Sequence, residues 1–221
     1  QTNCPDLFDG CASGWEALKR IAPWLEANLR PSLKGALIGR TAVLAQNVFV
    51  GEGTVIEDGA MIKGPAWIGR NCEIRHGAYV RGCVIIGDGC IIGHATEVKN
   101  SILFNGAAAS HFNYVGDSIL GFKAHLGAGV KISNVKLVEG NIMVQTNEGL
   151  VDTGLRKFGA LLGDHAEVGC NTVLNPGSVV GRRGVIYPNT NWRGVLLDDC
   201  VAKNKAPIQV IRRAAPGEAS R

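Results

Sequence analysis

Several signatures of common enzyme classes are missing from this chain. Its 221 residues contain no G-x-x-x-x-G-K-[ST] phosphate loop, no G-x-G-x-x-G and no G-x-S-x-G. The usual cradle for nucleotide phosphates and the nucleophile elbow of a hydrolase are therefore not expected. Gly116 and Gly121 have phosphate-loop spacing, but Phe122 follows them. No apolar run approaches the roughly 18 residues of a membrane span, and no basic stretch leads into an apolar one as in a signal peptide. A membrane partner is not expected. The seven cysteines are odd in number and form no C-x-x-C pair. That usage does not suit a disulfide framework and fits a reducing, cytoplasmic setting. In the C-terminal stretch Lys203, Lys205, Arg212, Arg213 and Arg221 face only Glu218. Without interleaved aromatic residues this reads as a solvated basic tail rather than a nucleic-acid surface.

Glycine, by contrast, is abundant, at 30 residues, about twice the usual share of roughly 7 %. It shows no G-X-Y period, so collagen is excluded. The dominant pattern has a period of six. Ile38, Leu44, Val50, Ile56, Ile62, Ile68, Ile74, Val80, Ile86, Ile92, Val98 and Phe104 are all apolar. Four residues after each, the side chain is mostly small, as at Ala42, Thr54, Ala60, Ala66, Cys72, Ala78, Cys90 and Thr96. The pattern restarts at Leu120, Leu126 and Ile132, and again from Leu162 to Trp192. Neither a helix nor a long alternating strand has this period.

A parallel β-helix explains it. Each six-residue face turns one branched side chain inward and fits a small one near the corner, and glycine permits the turn and the close approach of neighbouring coils. Three faces make an 18-residue coil, and coils stack about 4.8 Å apart. This spacing predicts Ile38, Ile56, Ile74 and Ile92 in one buried column. Cys72 and Cys90 would stack in an inward slot as small apolar residues. His76 and His94 would stack outside, and two such ligands alone do not predict a metal site.

Three segments fall outside the period. Residues 13–30 read as one helix, with Ser13 and Glu16 as a capping box and Trp15, Leu18, Ile21, Leu25 and Leu29 as its apolar face. The expected organisation is a helical cap over the open coil at 1–35, a β-helix at 36–193 and a basic tail at 194–221. Residues 105–119 and 137–159 are expected to leave the coil as excursions.

The stretch from 93 to 134 carries a resemblance. Glu97-Val-Lys99, then His111-Phe-Asn-Tyr114-Val-Gly116-Asp117, then Leu126-Gly-Ala128-Gly and Ser133-Asn134 resemble the acetyltransferase half of the bifunctional N-acetylglucosamine-1-phosphate uridyltransferase and glucosamine-1-phosphate acetyltransferase family. They also resemble the β-helical tails of sugar-phosphate nucleotidyltransferases. The resemblance implies a left-handed hexapeptide-repeat β-helix, an all-β fold, assembled as a homotrimer with sites between subunits. It implies His111 as the base for acyl transfer to an amine, and Glu97 as the group that holds the amine or orients that base. Arg75, Lys99 and Lys157 would clamp a sugar phosphate, with Tyr114, His125 and Asn134 as further substrate contacts. Acetyl-CoA would lie against Ala128 and Cys170, and no metal is implied. The H-x4-H spacing of γ-class carbonic anhydrases, which share the fold, is absent, so a metal-dependent hydratase ranks third. The second alternative is a non-catalytic module that binds a sugar phosphate or nucleotide sugar, or that only oligomerises.

The coil spacing adds one constraint. Arg75 and Lys99 each follow an inward residue, Ile74 and Val98, and lie one coil plus one face apart. They sit on different faces, and only a neighbouring subunit would let them converge on one ligand.

Overall fold

The structure, a computed structural model, describes residues 2–204. Its body is a triangular prism of stacked coils, about nine turns long. Each coil gives one short strand to each of three parallel sheets. The faces are numbered here in chain order: Glu73–Ile74 lies on the first, Tyr79–Val80 on the second and Val84–Ile86 on the third. The corner after each face takes the same number.

The six-residue period is the inward lattice of this prism. Ile38 pairs with Ile56, Ile56 with Ile74, and Ile74 with Ile92. The last three are buried, whereas Ile38 lies on the exposed first coil. The small residues Thr54, Ala60, Ala66, Cys72, Ala78 and Cys90 are buried among them. Cys72 and Cys90 remain free thiols, and their Sγ atoms donate to the Gly87 and Phe104 carbonyls at 3.1 Å. The contact with Cys72, together with burial, pushes the Cys90 thiol far up, which disfavours the nucleophilic thiolate.

Corners obey a second rule. Three residues after the inward position the backbone turns left-handed, as at Gly77 (φ 70°), Ala95 (φ 51°), Phe112 (φ 53°) and Asn171 (φ 56°). At the third corner a side chain braces the coil before it. Asp88 Oδ1 accepts the Arg70 N–H at 2.8 Å, Asp164 Oδ1 the Phe122 N–H at 2.8 Å and Asp198 Oδ1 the Arg182 N–H at 2.7 Å. Coils approach so closely there that a Cβ on Gly69 would lie 2.7 Å from the Gly87 carbonyl carbon.

Several expectations need correction. The N-terminal helix is two pieces, a 3-10 helix over Gly14–Arg20 and an α-helix over Ile21–Asn28. Pro23 explains the break: it has no N–H to give the Lys19 carbonyl, and its ring crowds that group. The capping box does not form. Ser13 makes no side-chain cap bond, and the Glu16 carboxylate accepts the Ala12 N–H at 3.3 Å instead. Nor does this segment close the open coil. It runs along the third face, where Leu18, Ile21 and Leu25 bury Ile85, Ile102 and Ile119. Phe8 meets Phe104 edge-on at 5.5 Å, and Trp24 meets Trp67 at 5.7 Å. Leu37, Val43 and Val55 of the first coils stay exposed.

Residues 105–119 are not an excursion. They form regular coil with one residue fewer: Ile91 pairs with Glu73, 18 residues back, but with Ala108, 17 residues on. The shortening falls at the second corner, so Leu103 rather than Phe104 points inward. The 137–159 excursion is real and carries an antiparallel hairpin, Met143–Thr146 with Gly149–Asp152. Strands at Val195–Leu196 and Val201–Ala202 carry the solenoid past the expected boundary at 193. The tail from 205 lies outside the described residues. Among the described residues no helix is long and apolar enough to cross a membrane.

Candidate active site at two corners

The first corner gathers a column of side chains at one register. His76, His94, His111, Ala128 and Cys170 each lie two residues after an inward residue, and those inward residues pair coil on coil. His76 Nδ1 faces the Asp58 carbonyl at 2.7 Å, and His94 Nδ1 faces the His76 carbonyl at 2.9 Å. A carbonyl only accepts, so both rings carry their proton on Nδ1. The two rings stack at 5.6 Å with 10° between their planes. Among the described residues no group of three or more His, Cys, Asp or Glu side chains is placed to hold a metal.

His111 is exposed at this corner. Its N–H donates to Asn113 Oδ1 at 3.1 Å, and its carbonyl accepts the Gly129 N–H at 2.9 Å. Buried Asn113 also donates from Nδ2 to the Gly127 carbonyl at 2.8 Å, tying the His111 coil to the Ala128 coil. Next to His111 in the chain, Phe112 is exposed and left-handed, a backbone state that costs a bulky residue about 1–2 kcal/mol. Its ring meets His94 edge-on at 5.2 Å and lies 6.4 Å from the His111 ring. Arg75 belongs to the same corner, but Glu73 Oε2 takes its Nε at 2.9 Å and its Nη2 at 2.6 Å. His125 lies on the first face, with Nδ1 3.0 Å from Glu167 Oε2.

The second corner gathers the other candidates around a motif residue to which the resemblance assigned no role. Asp117 is left-handed (φ 49°) and buried. It accepts Lys99 Nζ at 3.2 Å and Asn100 Nδ2 at 2.8 Å, and also Asn134 Nδ2. Lys99 and Asn134 are thus committed within the chain. Tyr114 leans over Gly116, where an added Cβ would lie 2.8 Å from both its hydroxyl and Asn134 Nδ2. Glu97 points from the second face to Arg81 at 3.0 Å, and that hydrogen bond raises the Arg81 pKa. Lys157 is exposed beside Phe158, whose N–H donates to the Asn134 carbonyl at 3.0 Å.

The two corners stand at opposite edges of the second face. Five residues at about 3.3 Å each put them roughly 16 Å apart, beyond the reach of one phosphate. One chain therefore assembles His111, Ala128 and Cys170 on one edge, and Lys99, Tyr114, Asn134 and Lys157 on the other. Glu97 lies between, while Arg75 and His125 sit near the first edge. Asp117 stands in the motif that carries the resemblance, but no role was assigned to it there, and the shortened corner that explains it shows only in the coil pairing. Phe112 and Asn113 had no signal beyond their place beside His111.

A family model described as the GMPPB C-terminal domain matches residues 62–154. The bifunctional sugar-1-phosphate nucleotidylyltransferase/acetyltransferase of Sulfurisphaera tokodaii is 35 % identical over 88 residues, covering 40 % of this chain and 22 % of that protein. The uncharacterized acetyltransferase YaiX of Escherichia coli O6:K15:H31 is 37 % identical over 146 residues, 66 % of this chain and 61 % of that one. The bifunctional protein GlmU of Methanococcus aeolicus is 30 % identical over 162 residues, 73 % of this chain and 39 % of that protein. The chain thus spans between 22 % and 61 % of these relatives' lengths. Among solved structures, the Francisella novicida UDP-N-acetylglucosamine acyltransferase aligns at TM-score 0.48 and 16 % identity, covering 72 % of this chain and 57 % of that one.

Proposed function

We propose that this chain, which has the hexapeptide-repeat acetyltransferase fold, transfers an acetyl group from acetyl-CoA to the amine of an amino sugar phosphate. The observation that carries the reading is the first-corner column, in which an exposed imidazole continues into the small side chains Ala128 and Cys170. Such an edge leaves room for a thioester arm beside a base. In the proposed step the amine nitrogen attacks the thioester carbonyl carbon while the His111 imidazole accepts the amine proton. The C–S bond then breaks, and the departing thiolate takes that proton. The Gly129 N–H is spent on the His111 carbonyl, so the oxyanion donor would be the Ala128 N–H. The phosphate would be held at the second corner of a neighbouring copy by Lys157, with Lys99 and Tyr114 beside it. Glu97 would orient the amine, and a threefold homotrimer is the assembly that supplies such neighbours.

The test is thiol release from acetyl-CoA against a panel of amino sugar phosphates. His111→Ala is expected to lower the rate by about 10²- to 10⁴-fold, the usual share of a general base. Thiol release unchanged in that variant would remove His111 as the base. A second reading, a non-catalytic sugar-phosphate or oligomerisation module, draws support from the internal partners of Arg75, Lys99 and Asn134. Saturable sugar-phosphate binding with no thiol release from any panel member would favour it.

A further inference from the structure

The excursion after Asn134 borders a half-open cavity that no step of the proposed transfer uses. Its volume is about 700 Å³, within the range of small-ligand pockets. One wall is the hairpin, through Met143, Gln145 and Leu150, and the other is the second-corner turn at Pro176 and Gly177. The walls are held in register: a Cβ on Gly177 would lie 2.6 Å from the Met143 carbonyl oxygen and 3.0 Å from Ile142 Cγ2. The base of the hairpin is therefore seated on the solenoid. Half of the cavity's lining residues are aliphatic and none carries an aromatic ring. Lys136 and Arg193 also line it; neither has a carboxylate at ion-pair distance among the described residues, although the Lys136 charge helps to lower the pKa of Asp152 on the hairpin.

Aliphatic side chains beside two cations that lack ion-pair partners favour one ligand chemistry. A nucleobase would call for a stacking ring, which this lining lacks. A neutral alkane would leave the two cations unanswered. We propose that the cavity binds the aliphatic chain of an amphiphilic anion, with its charged head on Lys136 and Arg193. The source is either a free fatty carboxylate or a fatty acyl thioester of coenzyme A. The site stands apart from His111, so it does not depend on the transfer reading. Loss of thiol release in His111→Ala with ligand binding retained would separate the two.

Isothermal titration of the full chain with hexanoate, octanoate, decanoate, decanoyl-CoA, coenzyme A and decylammonium tests it. Burying one methylene contributes about 0.8 kcal/mol, about fourfold in affinity. Affinity is therefore expected to rise about 15-fold with each two-carbon step. Lys136→Glu with Arg193→Glu is expected to weaken decanoate at least about tenfold, with an unchanged circular dichroism spectrum. Tighter binding of decanoate than of decanoyl-CoA assigns the free acid, and the reverse order assigns the thioester. Four results would overturn the proposal: no saturable binding of either ligand, no dependence on chain length, coenzyme A alone binding as well as decanoyl-CoA, or decylammonium matching decanoate. Absent decanoate binding, together with an oligomer that falls apart in Leu137→Asp, would give the cavity to a second copy of the chain instead.

Discussion

Taking the carboxylate from Asp117 would leave the Lys99 ammonium, whose side chain is only 19 % exposed, facing two amides and no counter-charge. Removing one partner of a buried ion pair is costly because the other charge stays desolvated. Asp117→Ala is therefore expected to lower stability by about 3 kcal/mol, read from the urea midpoint. A midpoint unmoved by the change would show that the shortened corner holds without this lock. Glycines offer a sharper comparison. A methyl group on Gly93 would overlap the Ser110 carbonyl of the next coil, whereas nothing lies within 4 Å of one on Gly89. Gly93→Ala is expected to cost about 3 kcal/mol through overpacking, and Gly89→Ala about 1 kcal/mol, since only its left-handed backbone is strained. Equal melting temperatures for the two variants would contradict coil-to-coil contact as the reason for the glycine. Residues of this kind were half legible. Glycine after the inward position was visible as a pattern, but the acid at Asp117 gains its meaning only from a corner one residue short.

At the scale of elements, the period of six placed the inward columns up to Val98 and again from Leu120, because each coil repeats the same steric demand, but it missed the slip to Leu103. What it could not supply was the partner of the N-terminal segment. The apolar stripe Trp15, Leu18, Ile21 and Leu25 was legible, yet a stripe does not say what it covers. The answer lay in outward positions. On the third face Phe49, Trp67, Ile85, Ile102, Ile119 and Leu161 form an outward apolar column, whereas the second face shows Tyr79, Glu97, Tyr114 and Lys131. An apolar outer face must be buried, and the helical segment buries it. Two acids tie down the peripheral elements. Asp58 holds the first coil by accepting the Thr41 N–H at 2.8 Å and its hydroxyl at 2.9 Å, which lowers its pKa. In the hairpin, the Gly154 N–H at 2.8 Å and then Asn141 lower that of Asp152. Each folded pKa is depressed below the ordinary value near 3.9. Their stabilisation is therefore present above about pH 4 and is lost as pH falls through the folded values. The urea midpoint is expected to be lower at pH 3 than at pH 5, and Asp58→Asn should flatten that difference. A midpoint independent of pH across this window would refute the role of both acids.

For the whole molecule, the covered third face limits how copies can meet. The first and second faces and the corner between them are what a neighbouring prism can approach. A threefold arrangement that turns the helical segment outward would set the first face of one copy beside the second face of the next. Such packing offers the roughly 16 Å gap between the His111 edge and the Lys99 edge a way to close between chains, which one chain cannot do. Light scattering at micromolar concentration is expected to give the mass of a trimer, and a monomer would refute the shared site along with the assembly. Chain mixing tests the sharing itself. His111→Ala spoils the first edge and Lys157→Ala the second, so homotrimers of either variant are expected to be nearly inactive. Mixed in equal amounts and reassembled, they give sites that take His111 from a chain of one kind and Lys157 from a chain of the other. Random assembly makes both edges intact at about one half times one half, so about a quarter of wild-type thiol release should return. No recovery after verified mixing would mean that each chain completes its own site. The second corner would then have to reach His111 by a path that the prism, as built, does not provide.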